Sequence, residues 1–132
     1  MANYFCPRCW SELHEDRERC PRCNLNISEY LAGTDYIERL INSLRHPVAD
    51  LRRWAAYLLG QLRDERAVRP LMALVRNEKE DLYVVRQAVR SLGLIGGHEV
   101  DEFLQTLLAH PARMIRKDVE RLLESASEVN SE

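Results

Sequence analysis

From Thr34 onward, apolar residues recur at intervals of three and four. Ile37, Leu40, Ile41 and Leu44 make one such stripe, and Leu51, Ala55, Leu58, Leu59 and Leu62 make the next. Stripes of this spacing predict amphipathic helices, here an antiparallel pair. The pair recurs: Val68, Leu71, Met72 and Val75 predict a third helix, and Val85, Ala88, Val89, Leu92 and Ile95 a fourth. Arg53-Trp54-Ala55-Ala56 with Leu59-Gly60 returns 33 residues later as Arg86-Gln87-Ala88-Val89 with Leu92-Gly93. A fixed period of this size is the mark of a solenoid. A worn third copy follows, with Phe103, Leu104, Leu107 and Leu108 in its first helix and Ile115, Val119, Leu122 and Leu123 in its second. His110-Pro111 repeats His46-Pro47 in the turn between paired helices, and the loss of the glycine fits a terminal cap.

The expected fold is therefore all-α, a short solenoid of about three helix pairs over residues 34–124, with units near 35–65, 66–97 and 98–124. Residues 125–132 lack an apolar face and are expected to fray. Leu25, Ile27, Tyr30 and Leu31 keep near-helical spacing, so the segment before Thr34 is expected to pack onto the first repeat and cap the array. Small Ala55, Ala56 and Ala88 permit close helix approach, and Gly60 and Gly93 relieve crowding. The repeated Arg53 and Arg86 are expected to pair with turn acids such as Asp50 or Asp81.

The first 33 residues follow a different logic. Cys6, Cys9, Cys20 and Cys23 form two Cys-Pro-Arg-Cys pairs separated by ten residues, and the chain has no other cysteine. Two Cys-x-x-Cys turns can supply the four tetrahedral thiolates of one structural Zn2+, whose closed ligand set leaves no position for a substrate. Met1-Ala-Asn-Tyr-Phe-Cys6 lacks the start of an export signal, which argues against disulfides and for a reducing, cytoplasmic setting.

Composition narrows the field without choosing a function. The chain has 132 residues, 45% apolar and 30% charged, with a formal charge of −2, as expected of an ordinary globular protein with no membrane span. That charge gives no default reason to bind nucleic acid.

Two resemblances rest on these residues. Tyr4-Phe5-Cys6-Pro7-Arg8-Cys9, Glu12-Leu13, Asp16 and Cys20-Pro21-Arg22-Cys23 resemble the short zinc ribbons found at the ends of bacterial and archaeal proteins. That family usually places glycine after each second cysteine, where the knuckle turns through positive φ; here the residues are Trp10 and Asn24. Asn accepts that region and Trp does not, so the first knuckle is expected to be strained or turned differently. Leu51-Arg52-Arg53, Ala56, Leu59-Gly60, Asp64 and Ala67-Val68, then Val85-Arg86, Val89 and Leu92-Gly93, resemble HEAT-like repeats of the phycobilisome-lyase type. The resemblance implies fold more than function, because that family includes chromophore lyases, an iron-dependent hydroxylase and many adaptors.

The hydroxylase of that family uses His-Glu pairs on second helices. Here His14-Glu15 falls in the ribbon, and His98-Glu99 is expected in a turn after Gly96-Gly97, so the chain is expected not to be an enzyme. Nucleic-acid binding is disfavoured, since Glu12, Glu15, Asp16, Glu18 and Glu29 outnumber Arg8, Arg17, Arg19 and Arg22 around the knuckles. The leading expectation is an adaptor for a protein partner, working as monomer or homodimer, with contacts at Arg52, Trp54, Tyr57, Tyr83, Arg86 and Arg90.

Overall fold

A computed structural model describes residues 4–15 and 18–130. Met1 to Asn3, Asp16, Arg17 and the end of the expected tail, residues 131 and 132, lie outside the described residues. A two-stranded antiparallel hairpin, β1 (Tyr4–Phe5) and β2 (Glu12–Leu13), opens the chain, and a short helix, α1 (Ile27–Gly33), follows. Three helix pairs come next: α2 (Tyr36–Ser43) with α3 (Ala49–Leu62), α4 (Val68–Arg76) with α5 (Leu82–Ile95), and α6 (His98–Thr106) with α7 (Arg113–Asn130). The fold is the all-α solenoid that the 33-residue period predicts.

Three of the helices start where the sequence supplies a side-chain acceptor. Asn26 caps α1, Asp35 caps α2 and Asp81 caps α5, each side chain accepting a backbone N–H of the first turn. The predicted stripes converge on one continuous core, from Leu40 and Leu44 through Leu59, Leu71 and Leu92 to Ile115 and Val119. Leu51 and Leu62, which the spacing assigned to an apolar face, are instead exposed, because the core stripe of a second helix is narrow and they fall at its rim; Leu108, in the turn after α6, is exposed as well. The backbone of α7 runs to Asn130, so the segment from Ser125 continues the helix where fraying was expected.

The second helices α3, α5 and α7 stand side by side, and small residues set their spacing. A Cβ on Gly60 would lie 2.4 Å from Ser91 Oγ and 2.8 Å from its Cα, so α3 and α5 touch there backbone to backbone. Ser91, fully buried, donates its hydroxyl hydrogen to Ala56 O at 2.6 Å, which satisfies the buried hydroxyl at the crossing. Gly93 repeats the device one unit on, where its missing Cβ leaves room for Leu122 of α7, 2.8 Å away.

His46-Pro47 and His110-Pro111 are the same fitting used twice. Each imidazole Nδ1 accepts the N–H two residues on, Val48 or Ala112, at 3.0 Å. An arginine six residues after each histidine, Arg52 or Arg116, donates to the carbonyls of His and Pro. His46 does more, because the N-terminal hairpin sits on it: Phe5 meets its ring edge-on at 4.7 Å and Trp10 lies 4.9 Å away. Asn42 of α2 also donates to Pro7 O. Helix α1, expected to cap the array, packs Ile27 and Tyr30 against the cysteine cluster and leaves Leu31 exposed. Phe5, Pro7 and Trp10 carry the contact with the first pair.

Adding a methyl at Gly60 forces Ser91 and the α5 backbone to move. Gly60→Ala is expected to lose about 1–3 kcal/mol in urea unfolding. Gly33→Ala, where nothing lies within 4 Å, is expected to change stability little.

Burial, with the nearby Arg52 guanidinium second, holds the His46 pKa below its ordinary value. The unfolded chain then takes up the proton first, so this contribution is complete above about pH 6.5 and is lost as the pH falls through and below that value. His46→Asn, which keeps an acceptor near Nδ1, is expected to be less stable at pH 7 but to show a shallower decline towards pH 5 in parallel denaturant titrations.

Candidate functional site

The two Cys-Pro-Arg-Cys turns fold alike. Trp10 N donates to Cys6 O at 2.9 Å and Asn24 N to Cys20 O at 2.8 Å; Arg8 N and Arg22 N each point at the first sulfur of their turn at 3.4 Å. Trp10 has φ 59° and Asn24 φ 63°, so the first knuckle turns as the second does, and the different turn considered for Trp10 does not occur. A tryptophan in the left-handed region costs on the order of 1–2 kcal/mol, which its packing on His46 offsets. Its Nε1–H is buried without a partner among the described residues.

The knuckles bring the four Sγ atoms within 4.8 Å of one another, a set that could hold a metal ion. All four cysteines are free. Cys6 and Cys23 Sγ lie 3.5 Å apart and Cys9 and Cys20 Sγ 3.7 Å. A tetrahedron with metal–sulfur bonds of about 2.3 Å has sulfur–sulfur edges of about 3.8 Å, so the cage fits an ion of that size. Burial pushes the Cys6 thiol up to about 12. At Cys20 burial acts in the same direction, but the N–H groups of Cys23 and Arg22 and the Ser11 hydroxyl outweigh it and bring that thiol down to about 6. Four sulfurs this close ionise together only around a cation.

The other candidate residues lie on the second helices. Trp54 and Tyr57 stack on α3 with centroids 5.3 Å apart and planes at 23°, and they are 57% and 38% exposed. Tyr83, at the start of α5, is 60% exposed. A shallow 240 Å³ pocket beside the stacked pair is lined by Asp50, Arg53, Trp54, Tyr57 and Gln87. Arg90 is half exposed and reaches Asp118 at 3.7 Å. Arg86 pairs with Asp118 at 2.7 Å, and not with Asp81, which is occupied in capping α5; Arg53 makes only a 3.7 Å contact with Asp50. Arg52 stands apart from this row. It forms a two-point pair with Glu80, 2.7 and 3.0 Å, while holding the His46-Pro47 turn.

Sequence reasoning missed Glu80 and Asp118, whose carboxylates are 3% and 5% exposed, and missed His46 as the seat of the hairpin. The recurrence of His-Pro followed by Arg at the sixth position was the available signal for the last. His98 and Glu99 also differ from expectation: they open helix α6, with His98 Nε2 2.9 Å from Glu102 and Glu99 3.5 Å from Arg69. They lie on the first helix of their pair, and Gly97 at φ 106° makes the turn before them.

Among the described residues no helix is long and apolar enough to cross a membrane. Comparison with known proteins turns up an enzyme. Deoxyhypusine hydroxylase of Aspergillus fumigatus is 32% identical over 88 residues, covering 66% of this chain and 26% of the relative. The structure of human deoxyhypusine hydroxylase in complex with glycerol aligns at TM-score 0.63 and 30% identity, over 67% of this chain and 31% of that one. The expectation that the chain is not an enzyme is corrected by these relatives, which are enzymes and of whose length it spans about a quarter to a third. The polar pairs by which the sequence was judged are a poor guide when only part of a larger enzyme is matched. A family model described as HEAT repeats matches residues 37–124, and the chain belongs to that family.

Proposed function

We propose that this chain is a zinc-binding HEAT-repeat scaffold that engages a protein partner. In this reading residues 1–33 are a zinc ribbon, residues 34–124 are repeats of the phycobilisome-lyase type, and one structural Zn2+ is held by Cys6, Cys9, Cys20 and Cys23. The observation that carries it is the open row of Trp54, Tyr57 and Tyr83 on the second helices. Large aromatics left in solvent beside arginines are what binding hot spots are made of, and the described residues leave these exposed. The cage supports the metal half of the reading: all-thiolate donors favour zinc, and four protein ligands make the ion structural. Its role is to shape the knuckle that seats Trp10 on His46.

Affinity capture from native extract tests the partner: proteins held by the intact chain are expected to be lost with Trp54→Ala and kept with Cys6→Ser/Cys9→Ser. Capture that is indifferent to Trp54 removes the aromatic row from the reading.

For the metal, elemental analysis of purified protein is expected to find one zinc per chain. Chelation is expected to lower the helical melting temperature, because the hairpin then releases His46. An unchanged melt after proven metal loss contradicts the coupling.

A second reading follows from the relatives' name: a hydroxylase activity, with the chain as part of a larger catalytic body. His98 and Glu99 are the helix-borne His-Glu pair it would draw on; both are exposed, though on a first helix and not on a second. Incubating the iron-loaded chain with a deoxyhypusine-bearing protein and looking for the gain of one oxygen by mass spectrometry tests it. A gain that His98→Ala abolishes favours this reading.

A further inference from the structure

We propose that the second-helix face binds an acidic, extended polypeptide segment carrying one apolar anchor. This rests on the interaction reading above and names the chemistry of the partner.

The charge on this face opposes that of the whole chain, which is −2. Asp118 is the carboxylate between α5 and α7, and it is shared by Arg86 at 2.7 Å and Arg90 at 3.7 Å. One carboxylate cannot neutralise two guanidiniums, so positive charge is left over, and Arg90 is the looser and more exposed of the pair. On α3, Arg53 and Asp50 meet only at 3.7 Å with both side chains mostly in water, a contact that screens little. On α7, exposed Arg121 lies one turn beyond Asp118 and therefore extends the same row.

Shape and chemistry agree with the charge. The 33-residue period places Tyr57 and Arg90 at equivalent points of α3 and α5, so the row alternates an aromatic shelf with a cation across the helices. Neighbouring helices stand about 8–10 Å apart, so the path from Trp54 across α5 to Arg121 is about 16–20 Å. Five or six extended residues cover that distance. The stacked Trp54–Tyr57 pair, with its 240 Å³ pocket, offers flat apolar area for a proline or aromatic side chain at one end. Carboxylates further along would meet Arg90 and Arg121, each able to grip a carboxylate at two points. A nucleic acid is less well matched, because a phosphate at every step would also meet Asp50, which is 85% exposed.

The test is fluorescence anisotropy of the full, zinc-loaded chain with labelled peptides of about eight residues. One peptide carries glutamates around a central Pro-Trp, a second replaces every Glu by Gln, a third by Lys, and an oligothymidine of similar length serves as the fourth probe. The Glu peptide is expected to bind, with affinity falling as salt rises. Trp54→Ala, and separately Arg90→Ser with Arg121→Ser, are each expected to weaken it about tenfold or more, with circular dichroism unchanged. Equal binding of the Gln peptide that is lost with Trp54→Ala would overturn the acidic preference and leave the interaction reading standing. Oligothymidine binding that competes for the same residues would overturn it in favour of a nucleic acid. If neither the peptides nor captured proteins depend on Trp54, both readings fall together.

Discussion

The approach of α3 to α5 at Gly60 and Ser91 governs the rest of the molecule. With no side chain on Gly60, the two helices come close enough for the Ser91 hydroxyl to donate to Ala56 O, and that contact fixes both their separation and their register. Register then decides which side chains share a face. Because α3 and α5 are in phase over 33 residues, the residues turned away from the core at Tyr57 and at Arg90 become neighbours in a row. A slip of one position would turn the aromatic shelf and the cations away from each other.

Buried charge accounts for another part of the architecture. Glu80 and Asp118 are both nearly inaccessible, and each is held by an arginine from a preceding second helix, Arg52 and Arg86. Such pairs do little for net stability against a hydrophobic alternative, but leaving one partner alone inside the protein is costly. They therefore act as latches between successive units, tolerating only one stacking. Arg52 latches the second unit while also holding the His46-Pro47 turn, so the seat of the hairpin and the stacking of the first two units share one side chain.

Much of this was legible in the sequence, and the reasons for the exceptions are physical. Helix pairs and their core could be read because burial forces a three-and-four spacing, and the cysteine cage could be read because metal geometry demands fixed turns. Gly60 and Gly93 were recognisable as close-approach sites for the same reason. The ion-pair partners were not, because Arg86 finds Asp118 across 32 residues, and nothing local marks a carboxylate that is buried by tertiary packing. Trp10 misled in the other direction. Its own backbone preference opposes the knuckle, yet Cys6 O takes its N–H and His46 takes its ring, so surroundings outvote preference. The link to a hydroxylase was visible in the repeat resemblance, but the placement of two His-Glu pairs argued against it, whereas the similarity to the enzyme is spread over 88 residues.

The chain has two tryptophans, and the fold sets them in contrasting surroundings. Trp10 rests against an imidazole with its Nε1–H sealed from solvent, whereas Trp54 lies open on α3. The protein thus carries two built-in optical reporters in different surroundings: one indole held against the histidine at the join of hairpin and repeats, and one in water on the face of the second helices. Light from one molecule can report on the join and on the open face of the helices without any label being attached.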